Sequence, residues 1–253
     1  MNKLKFTLIL QARLKSTRFK EKVLKKLGED EIVKFLQKRL ITLNSFIEYF
    51  ILAVPSKEVE FFRNFLIQGF KLEGGSEENV LERFAKIFEK YDSDYLIRAT
   101  SDNPFVSLKV IKENIEILEN LFENNQKLPD YFVRDKLPLG TQTEFVKKEA
   151  FWESYQKANK SYHFEHVTPY IYENTDKFFI LKKPFDNFES ISNLRLTIDT
   201  EKDYIVAQNI LKYFDENTKP QYLIDFDDIE RIYLNNKSDL EININEIQKN
   251  YKD

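Results

Sequence analysis

Residues 4–10, 47–54 and 95–98 are short runs rich in β-branched and aromatic side chains, and each reads as a buried strand. Amphipathic stretches alternate with them. In 80–91 the apolar residues Val80, Phe84, Ile87, Phe88 and Tyr91 fall on one helix face, and in 108–122 Leu108, Ile111, Ile115, Leu118 and Phe122 do the same. Strand–helix alternation of this kind predicts an α/β domain whose mostly parallel sheet is covered on both faces. Ligands of such sheets sit beyond the carboxyl ends of the strands. Downstream, 129–145 reads as strand, turn at Pro138-Leu139-Gly140, and strand; 151–172 as helix in pieces; 178–182 and 194–198 as two more strands. Residues 201–214 predict a helix with Val206, Ile210, Tyr213 and Phe214 on one face, and the tail from Pro220 reads as helical and polar at its end. There is neither a Ser/Gly-rich linker nor a repeat, so one domain over 1–253 is the simplest organisation.

Composition removes several chemistries. The five glycines (Gly28, Gly69, Gly74, Gly75 and Gly140) fit neither a Walker phosphate loop nor a dinucleotide fingerprint. Zero cysteine excludes disulfides, thiolate zinc sites and cysteine nucleophiles. With only His163 and His166, any bound metal should be held by carboxylates. A net charge of −3 argues against a general nucleic-acid or membrane-surface binder. No apolar run approaches the ~20 residues of a membrane span, and the stretch 6–10 is too short for a leader core, which leads us to expect a cytoplasmic protein.

Five stretches could carry chemistry. The loop after the first strand, from Gln11 to Lys26, holds seven Lys/Arg and one acid. It is either a solvated basic loop or a polyanion site, and its place beyond a buried strand favours the latter. Arg98-Ala-Thr100-Ser101-Asp102-Asn103-Pro104 follows another buried strand, and Asp199-Thr-Glu follows 194–198. Each aspartate could serve only a turn or a helix cap. Together with the basic loop they also match a Mg²⁺ site, since hard Mg²⁺ takes a few carboxylates plus phosphate oxygens. His163-Phe-Glu165-His166 is an improbable zinc site without a second cluster, and Gly74-Gly75-Ser76 reads foremost as a helix start with Ser76 as the cap.

In this order the stretches resemble the cytidylyltransferase family, which includes the CMP-KDO and CMP-sialic acid synthetases. Gln11-Ala-Arg-x-x-Ser-Thr-Arg18-x-x-x-Lys22-Val-Leu24 is similar to the family's N-terminal signature. Gly75-Ser-Glu-x-x-Val-Leu-x-Arg83-Phe84, Arg98-x-Thr-x-Asp102-x-Pro104, Glu165-His-Val-Thr-Pro-Tyr170 and Leu194-Arg-x-Thr-x-Asp199-Thr-x-x-Asp203 resemble its spore-coat polysaccharide (SpsF-like) branch. The resemblance spans roughly 4–212.

The resemblance implies a Rossmann-like, glycosyltransferase-A-type three-layer sandwich and a Mg²⁺-dependent nucleotidyltransferase. It implies triphosphate contacts, and with them the catalytic cations, on Arg13, Arg18 and Lys22, with Ser16, Gly75, Ser76 and Thr100 completing the nucleotide site. The metal carboxylates fall on Asp102 and Asp199, and the acceptor pocket on Gln142, Glu144, His166 and Arg195. The expected partners are CTP and a small sugar-type acceptor, and 129–180 resembles a substrate region that often packs between subunits of a homodimer. The implied reaction joins a sugar acid or sugar phosphate to CTP, releasing pyrophosphate, for surface polysaccharide or glycoconjugate synthesis. A glycosyltransferase using a ready-made nucleotide sugar and a catalytically silent nucleotide-binding protein are the alternatives. Four departures stand out: Lys15 replaces a usual glycine, Lys20-Glu21 a Pro-Gly, Ser101 a glycine and Gln142 an aspartate.

Overall fold

The structure is a computed structural model that describes residues 3–15 and 19–248. Strand β1 (Phe6–Gln11) is followed by a small antiparallel ribbon of β2 (Lys26–Leu27) and β3 (Asp30–Glu31), then α1 (Ile32–Leu40), β4 (Tyr49–Pro55), α2 (Val59–Phe62), β5 (Phe70–Gly75), α3 (Val80–Lys90), β6 (Tyr95–Thr100) and α4 (Leu108–Glu123). Next come β7 (Tyr131–Asp135), β8 (Glu144–Lys147), α5 (Lys148–Lys157), α6 (Ser161–His166), α7 (Pro169–Glu173), β9 (Ile180–Pro184), α8 (Glu201–Tyr213), α9 (Phe226–Asn235) and α10 (Lys237–Leu240). Seven strands form one sheet in the order β5-β4-β1-β6-β8-β7-β9. It is mostly parallel, with β8 running antiparallel to both β6 and β7.

Strand alternation divides the core into two layers. Leu8 and Leu10 of β1, Leu52 and Val54 of β4, and Tyr95 and Ile97 of β6 face one side, where α1, α4, α8 and α9 cover them. Ile9, Ile51, Ala53 and Leu96 face the other, against α3, α5 and α7. Both faces are therefore dry, and the strands read as continuous apolar runs. The expected three-layer α/β architecture with a mostly parallel sheet is the one observed.

The chain steps outward from β1 to β4 to β5 and then returns to β6 on the other side of β1. This reversal opens a crevice between the carboxyl ends of β1 and β6, the usual ligand position in such sheets. The basic loop leaves β1 there, and Asp102 follows β6 by two residues.

Two local expectations are corrected. Residues 194–198 form no strand. Their extended backbone pairs with the Leu139 turn, through Leu139 N to Leu194 O (2.9 Å) and Leu196 N to Leu139 O (2.7 Å), as an isolated bridge rather than a ladder. Gly140 makes this approach possible, because at φ 92° a side-chain Cβ would come within 2.5 Å of Thr197 N. The cap of α3 is Asn79, whose side chain accepts from Glu82 N at 2.9 Å, while Ser76 Oγ accepts from Asn79 N one step earlier. No helix among the described residues is long and apolar enough to cross a membrane.

Candidate active site

Lys22 lies at the centre of the crevice. It starts a 3₁₀ turn (Lys22–Leu24) after the basic loop, and its ammonium donates to Asp102 Oδ2 (3.2 Å), Asp199 Oδ1 (2.9 Å) and the Ile198 carbonyl (2.9 Å). Burial alone would lower the Lys22 pKa, but Asp102 and Asp199 outweigh it and hold it above its ordinary value. Burial likewise pushes the Asp102 carboxyl up, and Lys22 with the Thr100 hydroxyl pulls it below the usual carboxylate range. Two aspartates 97 positions apart in sequence thus converge on the Lys22 ammonium, where the motif reading expected a Mg²⁺ ion on the aspartates and Lys22 on the triphosphate. Ile198 N donates to Asp102 O (2.7 Å), which staples the two segments together.

Arg195 supports Asp199 from behind. It is 5% exposed, and its guanidinium donates to Asp199 Oδ2 (3.3 Å), both oxygens of Asp203 (2.8 and 3.3 Å) and Gln248 Oε1 (2.6 Å). Asp203 also closes the capping box of α8 with Thr200 and accepts from Asp199 N at 2.9 Å. Arg195 is consequently placed behind Asp199 and its donors are committed to protein oxygens.

A second polar group lines the face of the crevice toward α6. Arg98 donates through Nε to Gln11 Oε1 (3.2 Å) and through Nη1 to Glu144 Oε2. Glu144 also accepts from the Tyr131 phenol (2.6 Å) and the Thr168 hydroxyl (2.7 Å). Burial, then Glu144, keeps the Tyr131 phenol well above its ordinary pKa, so it remains a donor. His166 ends α6 nearby; burial lowers its pKa, opposed by Glu165 and assisted by Arg98. Gln142 is exposed on the turn before β8.

Arg13 sits apart from the two aspartates. It is half exposed and pairs with Glu165 of α6 at 3.3 Å. Beside it, Arg83 braces the Gly75-Ser76 corner at the end of β5, donating from Nε to Ser76 O (2.9 Å) and from Nη2 to the same oxygen (2.5 Å). Burial, with Arg13 next in effect, brings the Arg83 pKa down to about 10. A Cβ on Gly75 would meet Arg83 Cγ at 2.5 Å, so this corner requires glycine. Ser16 and Arg18 lie outside the described residues.

Several contributors were invisible to motif reading. Glu58, 5% exposed, accepts from Leu14 N at 2.9 Å and anchors the start of the basic loop. Asn243, 1% exposed, donates to both Arg195 O (2.9 Å) and Asp203 Oδ1 (2.8 Å) from a segment beyond the motifs. Nothing local marks Asn243. The His163 ring contacts Glu173 Oε2 at 3.2 Å, and no cluster of three His, Cys, Asp or Glu residues suited to a metal occurs among the described residues.

A basic loop facing paired carboxylates, at the switch point of a mostly parallel sheet, marks an α/β protein with a place for a phosphate-bearing ligand. The sequence model of the Cytidylyltransferase family matches residues 7–247, and the chain belongs to that family. It is 34% identical over 253 residues to the uncharacterized protein MJ1063 of Methanocaldococcus jannaschii, covering 97% of each chain. It is 33% identical over 205 residues to the spore coat polysaccharide biosynthesis protein SpsF of Bacillus subtilis, covering 78% of this chain and 82% of that one. Among solved structures, a cytidylyltransferase from Leptospira borgpetersenii serovar Hardjo-bovis superposes with a TM-score of 0.80 at 24% identity, over 98% of this chain and 100% of the other.

Proposed function

We propose that this chain transfers a cytidylyl group from CTP to a sugar acid or sugar phosphate and releases pyrophosphate, in the cytoplasm, as a step toward surface polysaccharide or glycoconjugates. The observation that carries this reading is the convergence of Lys22, Asp102 and Asp199 at the mouth of the basic loop. An acceptor oxygen attacks the α-phosphorus in line; the new O–P bond forms as the bond to the β-phosphate oxygen breaks. Negative charge gathers on phosphoryl oxygens, and Lys22, with Arg13 and Arg18 from the same loop, is the group to stabilise it. No protein nucleophile is required, in keeping with a chain that has no cysteine.

The donor set suits Mg²⁺. Asp102 Oδ2, Asp199 Oδ1 and the Ile198 carbonyl are hard oxygens already gathered around one cationic group, the Lys22 ammonium. Asp102 and Asp199 would hold the ion, which would supply Lewis-acid stabilisation of phosphoryl charge. Gly75, Ser76 and Thr100 line the nucleotide side in this reading. Glu144 orients Arg98 toward the acceptor side, next to His166 and Gln142, and Arg195 acts through Asp199.

The test is a coupled pyrophosphate assay, crossing four nucleoside triphosphates with a panel of sugar acids and sugar phosphates, with and without Mg²⁺. CTP-dependent pyrophosphate release is expected. Asp102→Ala and Asp199→Ala should each lower turnover at least ~100-fold, the scale of one strong electrostatic contact. Near wild-type turnover in either variant would sink the assignment of that aspartate. Release of free nucleotide from a nucleotide sugar, with no pyrophosphate from CTP, would overturn the reaction itself.

A further inference from the structure

The seat between Asp102 and Asp199 is occupied by the chain's own cation. Each oxygen a divalent ion would use there (Asp102 Oδ2, Asp199 Oδ1, Ile198 O) already accepts from Lys22 Nζ, at 3.2, 2.9 and 2.9 Å. The far oxygen of Asp199 faces Arg195. The Lys22 side chain is 13% exposed and that of Asp199 8%, so solvent screens the contact little. An ammonium and a dication cannot share these oxygens at a few ångströms without strong repulsion. Lys22 enters from the loop that carries Arg13, on a flexible four-carbon stem, and can trade carboxylate for phosphate oxygens without moving the backbone.

We propose that Lys22 is a resident counterion that keeps free divalent cations off Asp102 and Asp199 until a nucleoside triphosphate draws its ammonium away, so that metal and nucleotide bind as a coupled pair. This rests on the assignment of the two aspartates as metal ligands. The triphosphate brings the negative charge that can receive both cations at once. Coupling is reciprocal: CTP tightens the metal by the factor by which the metal tightens CTP. The site thereby discriminates against the metal alone, and Lys22 sets that specificity.

The experiment is a Mn²⁺ titration followed by calorimetry or electron paramagnetic resonance, first with the metal alone and then with CTP but no acceptor. Wild type should bind Mn²⁺ weakly alone and much more tightly with CTP. Lys22→Met should bind Mn²⁺ alone at least ~10-fold more tightly than wild type, the scale of one charge-assisted contact. The tightening that CTP adds should shrink by a similar factor, and Lys22→Met with Asp199→Asn should lose the gain. Lys22→Gln, which keeps a neutral donor, serves if the Met variant does not fold. An unchanged Mn²⁺-alone affinity in Lys22→Met, beside weakened Mn²⁺·CTP binding in Asp199→Asn, overturns the counterion role and leaves the metal site standing. Intact Mn²⁺·CTP binding in both Asp102→Asn and Asp199→Asn would instead remove the metal assignment beneath it.

Discussion

Glu21 shows how a single residue can keep a backbone shape that another residue type fits better. The family resemblance places a glycine where Glu21 stands, and Glu21 adopts φ 50°, ψ 30°, the left-handed region. Its carbonyl accepts from Leu24 N at 2.9 Å, closing the turn that launches Lys22. A non-glycine residue in this region costs about 1–2 kcal/mol, while glycine costs about 0.5–1 kcal/mol in chain entropy. Glu21→Gly should therefore raise stability by up to ~1 kcal/mol, read as a higher urea midpoint with unchanged slope. A lower midpoint would show that the glutamate side chain itself holds the turn. At this scale the sequence marked Lys22, Asp102 and Asp199 as candidates through the basic loop, the end of β6 and the 194–203 motif, and the structure brings the three together. The Arg98–Glu144 pair was not legible as a pair, since it depends on the antiparallel register of β6 with β8, which places those two residues opposite each other.

The elements around Asp199 divide between those with a periodic signature and those without one. Helices α3, α4 and α8 have long apolar stripes and were readable in advance. Strand β5 escaped the sequence reading: it sits at the sheet edge, and its sequence Phe-Lys-Leu-Glu-Gly-Gly alternates over only four residues before two glycines. Residues 194–198 misled in the opposite way, because their burial is strand-like while no neighbouring strand receives them. Beyond α10 the chain doubles back so that Asn243 and Gln248 reach Arg195, and Glu246 pairs with Lys202 at 2.8 Å. This return segment fixes the orientation of the Arg195–Asp203 pair and, through it, Asp199. Under the proposed role of Asp199 as a metal ligand and CTP as substrate, Asn243→Leu removes both hydrogen bonds and should lower kcat about 10-fold, with KM for CTP within roughly twofold, as outer-layer partners of a metal ligand do. A spectroscopically folded variant with wild-type kcat would show that the segment only covers the site.

Across the whole molecule, the layered architecture followed from alternating strands and stripes, but which segments tie the layers together did not. Asp225 is such a tie. One carboxylate accepts from Ser107 Oγ (2.8 Å), Leu108 N (2.9 Å) and Lys109 N (3.2 Å) at the start of α4, and from Phe226 N (2.9 Å) at the start of α9. It also lies 3.5 Å from Arg39 of α1, which is fully buried and donates to the carbonyls of Val106, Tyr222 and Ile224. Three distant stretches of sequence meet here, so the C-terminal helices belong to the same cooperative layer as α1 and α4. Asp225→Ala removes two helix caps, about 1 kcal/mol each, and leaves a buried guanidinium without its carboxylate, a change worth ~3–5 kcal/mol when a buried pair is broken. Against a total stability of about 5–15 kcal/mol this is a large fraction. At ~2–4 °C per kcal/mol for a chain of this size, the combined ~5–7 kcal/mol should lower Tm by roughly 10–28 °C. The only tryptophan, Trp152, reports from the opposite face, stacked near Phe88 with ring centroids 6.4 Å apart. If the two layers unfold together, Trp152 fluorescence and far-UV circular dichroism will shift by the same amount in Asp225→Ala. A circular dichroism midpoint that falls while the Trp152 transition stays in place would show that the layer of α1, α4 and α9 melts on its own.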